Sequence, residues 1–249
     1  MWHRPQLMIV VADLLLLAAA AALLVAGALW ATRLPLFPLR EAVVVSDLHE
    51  LQRKDIERAL AGLLRGNFFS VNLDTLRQSL EKLPWVRHAE LRRRWPAGIE
   101  ISIEEHRPAA YWGENAGQLV NTYGEVFSAA YLGDDVLPVL AGPAGTSAEA
   151  LRRYGEFTRQ LAPTGHRLAA LTVSPRLAWQ VRLDDGLLVD LGREQAKAPI
   201  AQRLARFVDN YAMLHTAHRG TPVAVDMRYP NGFALRYASS AGNESRGRE

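Results

Sequence analysis

Phe68-Phe69-Ser70-Val71-Asn72, then Leu83-Pro84-Trp85-Val86, then Arg92-Arg93-Arg94-Trp95-Pro96: these three runs punctuate the stretch from Phe68 to Glu105. Between the first two, Leu73, Leu76, Leu80 and Leu83 recur at intervals of three, four and three, which marks one face of a helix. Asn72 stands ahead of that face as an N-cap, because its short side chain can accept a hydrogen bond from a free first-turn amide. Pro84 closes the pattern. The period then changes to two. Ala89, Leu91, Arg93 and Trp95 alternate, Pro96-Ala97-Gly98 makes a turn, and Ile99, Ile101 and Ile103 alternate with polar residues. The stretch therefore reads as a helix followed by a tight hairpin.

Upstream, Val43-Val44-Val45 predicts a short strand, and Ile56, Leu60 and Leu63 predict a helix from about Lys54. The order strand, helix, helix, strand, strand gives a three-stranded sheet covered on one face by two helices. With Asn67-Phe68-Phe69 between the helices and Leu83-Pro84-Trp85-Val86 entering the hairpin, this order resembles a POTRA domain. The wording of Arg94-Trp95-Pro96 and of Ile103-Glu104-Glu105-His106-Arg107-Pro108 resembles the FtsQ/DivIB family of bacterial cell-division proteins. The resemblance runs from the amino-terminal apolar segment to about Tyr237.

That apolar segment spans Leu7 to Ala31, broken only by Asp13, and exceeds the roughly 20 residues a membrane-crossing helix needs. A cleaved signal peptide is the rival, since Ala26-Gly27-Ala28 has the small residues of a cleavage site. Signal cores run about 7 to 15 residues, and Trp30 suits a membrane interface, so an uncleaved anchor is favoured. Arg4 precedes the segment while Arg33 and Arg40 follow it, so charge orients it weakly. The short tail before it implies a cytoplasmic amino terminus. Asp13 fits a position near the cytoplasmic end of the helix. Pro35 and Pro38 form a stiff exit into the first domain.

The chain has 249 residues, no cysteine, and a formal charge of +3. Without disulfides, each domain must be held by its own core. The arginines are spread along the chain, and the folded part is expected beyond a membrane, so a nucleic-acid partner is disfavoured. Arg92, Arg93 and Arg94 alternate in direction on a strand and form no single patch. Trp85 and Trp95 read as core or rim packing.

Pro108 marks the next boundary. Beyond it, Gln118-Leu119-Val120 and Glu125-Val126-Phe127 flank the turn-like Asn121-Thr122-Tyr123-Gly124, and Gly142 to Ser147 is a loop. Leu151, Tyr154, Phe157 and Leu161 give an amphipathic helix stopped by Pro163 and Gly165. Leu168 to Val173 is a strand, and Trp179 to Leu183 and Leu187 to Leu191 form a hairpin across Asp184-Asp185-Gly186. Ile200, Leu204, Phe207, Tyr211 and Leu214 predict one long helix. Val223, Val225 and Met227 lead through Pro230-Asn231-Gly232 to Phe233, Leu235 and Tyr237, a final hairpin. From Ser239 the chain is small and polar, and is expected to be a disordered tail.

The fold class is thus α+β. The expected organisation is a short tail over 1–6, a membrane helix over 7–31, a POTRA domain over 36–107, a β-rich domain with two amphipathic helices over 108–238, and a tail over 239–249.

Catalytic chemistry finds no foothold. There is no thiol, no Gly-x-Ser-x-Gly elbow, no phosphate-binding loop and no dinucleotide fingerprint. His215 and His218 lack a third ligand at recognisable spacing, and Glu104-Glu105-His106 would diverge along a strand. No metal or cofactor is expected, and the chain reads as a binding protein. A terminal strand can lie at a sheet edge and accept a strand from a partner. Tyr229, Phe233 and Tyr237 are of the types that anchor interfaces, although packing within the domain accounts for them equally well.

The resemblance implies more. In FtsQ-like proteins the last strand of the second domain docks the single-span protein FtsB, which comes with FtsL. Here it implies partner contacts by Tyr229, Gly232, Phe233, Leu235 and Tyr237, with Arg193 on the same surface. The family's terminal aromatic is often Trp, so Tyr237 is a departure, as is Pro230. The implied role is a non-enzymatic scaffold of the inner membrane at the septum. Its bulk would lie in the periplasm, its POTRA domain would contact other division proteins, and it would help control septal peptidoglycan synthesis. The alternatives are a POTRA-containing secretion or outer-membrane assembly component and an anchored cell-wall enzyme.

Overall fold

The computed structural model describes residues 5–33, 38–64, 67–113, 117–216, 222–229 and 232–237. The chain divides into two compact units, Met1–His106 and Arg107–Glu249.

The first unit opens with α1 (Pro5–Arg33), whose segment Ile9–Trp30 is long and apolar enough to cross a membrane. Its described side chains are all exposed, as a helix surrounded by lipid would require. Then follow β1 (Glu41–Val44), α2 (Arg53–Leu60), α3 (Leu73–Leu80), β2 (Val86–Arg94) and β3 (Gly98–Glu105). The sheet order is β1-β3-β2, with β1 parallel and β2 antiparallel to the central strand. This is the expected three-stranded sheet carrying two helices. Ile56 and Leu60 from α2, Leu76 and Leu80 from α3, and Ile99, Ile101 and Ile103 from β3 close one core.

Local chemistry explains the joints. The Asn72 side chain accepts the Thr75 amide at 3.1 Å, the N-cap bond read from sequence. Asn67 does similar work one turn earlier, its Oδ1 accepting the amides of Phe69 at 3.0 Å and Ser70 at 2.8 Å. Glu105 proves structural, since its carboxylate accepts the amides of His49 at 2.9 Å, Glu50 at 3.3 Å and Leu51 at 2.8 Å.

One reading of this unit needs correction. The first strand starts earlier than Val43, because Glu41 pairs with Gly98 in the parallel ladder. Of the two tryptophans read as core or rim packing, Trp95 takes the rim. It is 68% exposed and touches Phe68 edge-on, whereas Trp85 is half-buried against the core.

The second unit comprises β4 (Pro108–Trp112), β5 (Gln118–Asn121), β6 (Val126–Ser128), β7 (Val139–Ala141), α4 (Ser147–Leu161), β8 (Leu168–Val173), β9 (Ala178–Leu183), β10 (Leu188–Arg193), α5 (Ile200–Asp209), α6 (Tyr211–Thr216), β11 (Pro222–Asp226) and β12 (Ala234–Tyr237). All its strands join one nine-stranded sheet in the order β12-β11-β10-β9-β8-β7-β4-β5-β6. Phe157 and Leu161 from α4 and Ile200, Leu204 and Phe207 from α5 pack with Leu171, Val181, Val189, Leu191 and Val225 from the strands. The helices thus cover one face of the sheet. Full burial of each such side chain is worth about 1.5–3 kcal/mol.

The expected long helix from Ile200 breaks in two at Asn210. There φ is −103° and the side-chain amide donates to the Arg206 carbonyl at 2.7 Å, competing with the helical ladder. β4 and β7 were absent from the sequence reading. β4 starts at a proline taken as a boundary, and β7 is a three-residue run held between parallel neighbours β4 and β8. The Pro230-Asn231 pair of the last turn and the tail from Ser239 lie outside the described residues, as do the side chains of His215 and His218.

Candidate partner-binding edge

The carboxyl-terminal ribbon occupies one margin of the large sheet. β11 runs parallel to β10, with Asp190 opposite Asp226, and β12 returns antiparallel, with Leu235 opposite Val225. Among the described residues, β12 pairs on one flank only. Its outer backbone N–H and C=O groups are therefore the unsatisfied row that an added strand would use. The far margin of the same sheet is β6, a strand of three residues.

Register and burial place each expected contact residue. Arg193, Tyr229, Gly232 and Phe233 share one end of the ribbon, beyond the last pair Asp226–Ala234. Tyr237 sits at the other end, opposite Pro222. Leu235 and Tyr237 alternate onto the face of buried Val225, and both are half-buried. Phe233 and Leu235 pack against the core. Tyr229, at 55%, and Arg193 are exposed. The ribbon thus has two kinds of side chain: Phe233 and Leu235 fasten the edge to the domain, while Tyr229 and Arg193 face outward.

The opposite face of the ribbon, away from the helices, carries a groove of about 310 Å³ lined by Gln180, Asp190, Asp226, Arg228, Ala234 and Arg236. Arg228 spans it. Its Nε lies 2.9 Å from one Asp226 oxygen, its Nη2 lies 2.6 Å from the other, and Asp190 is 3.6 Å away. The guanidinium hydrogen bond holds the Asp226 carboxyl below its usual range, against a smaller opposing effect of burial.

Packing of the helix over 203–208 beneath this sheet is expected from its sequence, but the hydrogen bonds of its arginines are not. Arg203 of α5 is 2% exposed, and its Nη1 donates to the carbonyls of Leu191 and, at 2.8 Å, of Arg193. Those carbonyls turn toward the helix because β10 bulges between Asp190 and Gly192, where Gly192 takes φ +71°. A Cβ at Gly192 would lie 2.9 Å from the Arg228 side chain, so glycine also lets the two strands' side chains close up. One turn on, Arg206 Nη2 donates to the carbonyls of Met227 at 3.3 Å and Tyr229 at 3.0 Å. These two arginines tie the outward residues Arg193 and Tyr229 to the helix. A signal existed: Ile200, Arg203, Leu204 and Phe207 share one helical face, so Arg203 is a charge at a core position.

One group among the described residues has cation-ligating geometry. Donor atoms of His166, Asp184 and Asp185 lie within 4.8 Å of one another. His166 Nδ1 already bonds Asp184 at 2.8 Å, which keeps that carboxyl below its usual range, and Arg167 is 3.6 Å from the same group. The trio is a hydrogen-bonded cluster at the turn between β9 and β10.

Comparison with known proteins identifies the family of the chain. The family described as "POTRA domain, FtsQ-type" matches residues 37–106, and "Cell division protein FtsQ/DivIB, C-terminal" matches 110–228. The cell division protein FtsQ of Bordetella pertussis is 38% identical over 257 residues, covering 96% of this chain and 93% of the relative. The chain belongs to the FtsQ/DivIB family. FtsQ of Burkholderia pseudomallei is 36% identical, covering 96% of this chain and 95% of the relative. FtsQ of Neisseria meningitidis serogroup B is 34% identical, covering 86% and 88%. Membership assigns the chain to bacterial cell division and residues 37–106 to the FtsQ-type POTRA domains. The C-terminal family match ends at Arg228, so β12 lies beyond the matched residues.

Proposed function

We propose that this FtsQ-family protein is a non-enzymatic divisome scaffold, held in the inner membrane by α1 with its two units on the periplasmic side. Its β12 edge takes up a strand from an FtsB-like single-span protein that arrives with an FtsL-like partner, and in this way it helps to control septal peptidoglycan synthesis. The observation that carries the reading is the flank of β12 that no strand among the described residues pairs, at the margin of a nine-stranded sheet. Strand addition would satisfy the exposed backbone groups, giving affinity. Arg193, which makes no ion pair with a described residue, and Tyr229 would contribute selectivity from the ribbon's end. The POTRA unit would serve other division proteins.

Site-specific photo-crosslinking tests this. A photoreactive residue replacing Ala234 or Arg236, both exposed on β12, should capture the FtsB-like partner in membranes. The same group at Val126 on the opposite margin should not. Capture at Val126 with none on β12 would reject the assignment of the edge.

A further inference from the structure

The POTRA unit has one pole where the chain arrives from the membrane helix. Pro38 bridges to Asn67, and the Arg40 amide donates to the Ala97 carbonyl at 2.9 Å. Five peptide steps separate Pro38 from Arg33, the last residue of α1, and a chain spans at most about 3.6 Å per step. Covalent geometry alone therefore keeps this pole within about 18 Å of the end of the apolar helix. The opposite pole, at Glu105, is an eight-residue strand away, roughly 24 Å.

The near pole exposes aromatic rings. Trp95 is 68% and Phe69 42% exposed, and both stand edge-on to buried Phe68, with centroids 5.8 Å and 5.1 Å from it. Arg93 of β2 clamps the 68–71 segment, donating to the carbonyls of Phe68 at 2.9 Å and Val71 at 2.8 Å. The rings are held out by the fold instead of turning inward. Beside them, Arg40 and Arg94 are exposed, with Glu41 the one acidic residue in the segments 38–41, 67–71 and 93–98. Tryptophan at a water–lipid boundary with arginine beside it is the pairing that headgroup layers favour, the indole in the interface and the guanidinium on phosphate.

We infer that this pole rests on the bilayer in which α1 is anchored, with Trp95 and Phe69 in the headgroup layer and Arg40 and Arg94 against lipid phosphates. A tether by itself leaves the unit free to swing. This contact sets which way it points, and so fixes the outward direction of the chain leaving its far end. The inference rests on the membrane-anchor reading of α1.

The absence of native cysteine permits single labels on the full chain. Ala97→Cys, Glu104→Cys and Leu23→Cys are each made, tagged with a fluorophore and reconstituted in phosphatidylethanolamine–phosphatidylglycerol vesicles carrying a quencher at headgroup depth or mid-bilayer. The headgroup quencher should act on the Ala97 label and leave the Glu104 label unaffected. Adding Trp95→Ser with Phe69→Ser, or Arg40→Glu with Arg94→Glu, should lower the Ala97 quenching to the Glu104 level. Ala97 and Glu104 labels that respond alike, while the Leu23 label is quenched from mid-bilayer, would overturn the contact and leave the anchor standing. A Leu23 label that is not quenched would overturn both.

Discussion

Replacing Arg203 by methionine isolates what holds the outward end of β10. The side chain is 2% exposed and donates through Nη1 to the carbonyls of Leu191 and Arg193, whereas its Nη2 finds no acceptor among the described residues. Methionine fills most of the volume but leaves both carbonyls without a donor, at a cost of about 1–3 kcal/mol each. Removing a buried guanidinium with one unmet nitrogen recovers part of this. The expected net loss is about 2–4 kcal/mol, concentrated at the bulge. Hydrogen exchange on the full chain reads it locally, because amides across 188–193 should exchange roughly 30-fold to 1,000-fold faster in Arg203→Met. The β8–β9 hairpin should change much less. Arg203→Lys, with a single ammonium and shorter reach, should fall between the two. If Arg203→Met left exchange at 188–193 within about threefold of the parent, the claim that α5 holds the bulge through this side chain would be wrong.

Asn72→Ala should destabilise the POTRA unit by about 1 kcal/mol, seen as a lower urea midpoint for that unit, while Asn72→Asp keeps the cap and should stay close to the parent. An unaltered midpoint in the alanine variant would show that the 3.1 Å bond to Thr75 contributes nothing. Arg193→Glu should slow association with a soluble FtsB-like fragment, most strongly at low salt, and leave the dissociation rate nearly unchanged. Stopped-flow rates independent of both salt and substitution would remove Arg193 from the docking surface.

Much of the fold was legible because its elements announce themselves locally. The leucine period of α3, its Asn72 cap, the isoleucine alternation of β3 and the Asp-Gly turn between β9 and β10 each depend on neighbours within a few residues. What stayed hidden depends on partners distant in sequence. β7 is a strand because β4 and β8 flank it, and its three residues show no period of their own. Asn210 breaks the helix by one side-chain bond that periodicity cannot register. At the candidate edge, the sequence pointed to the ribbon but could not separate inward from outward aromatics. Phe233 and Tyr229 look alike in composition, yet the first packs on the core and the second is exposed. The acceptors of the arginines beneath stayed hidden since a charge on an apolar face reads as an interruption. Here the bulge at Gly192 gives Arg203 its acceptors.

Whether β12 gains a strand can be read directly from its backbone. Amide exchange of the full chain in detergent, with and without the periplasmic segment of an FtsB-like partner, should show new protection across 234–237 and none across 126–128. An edge that exchanges at the same rate in the presence of a bound partner would contradict the account, because binding would then use some other surface of the protein.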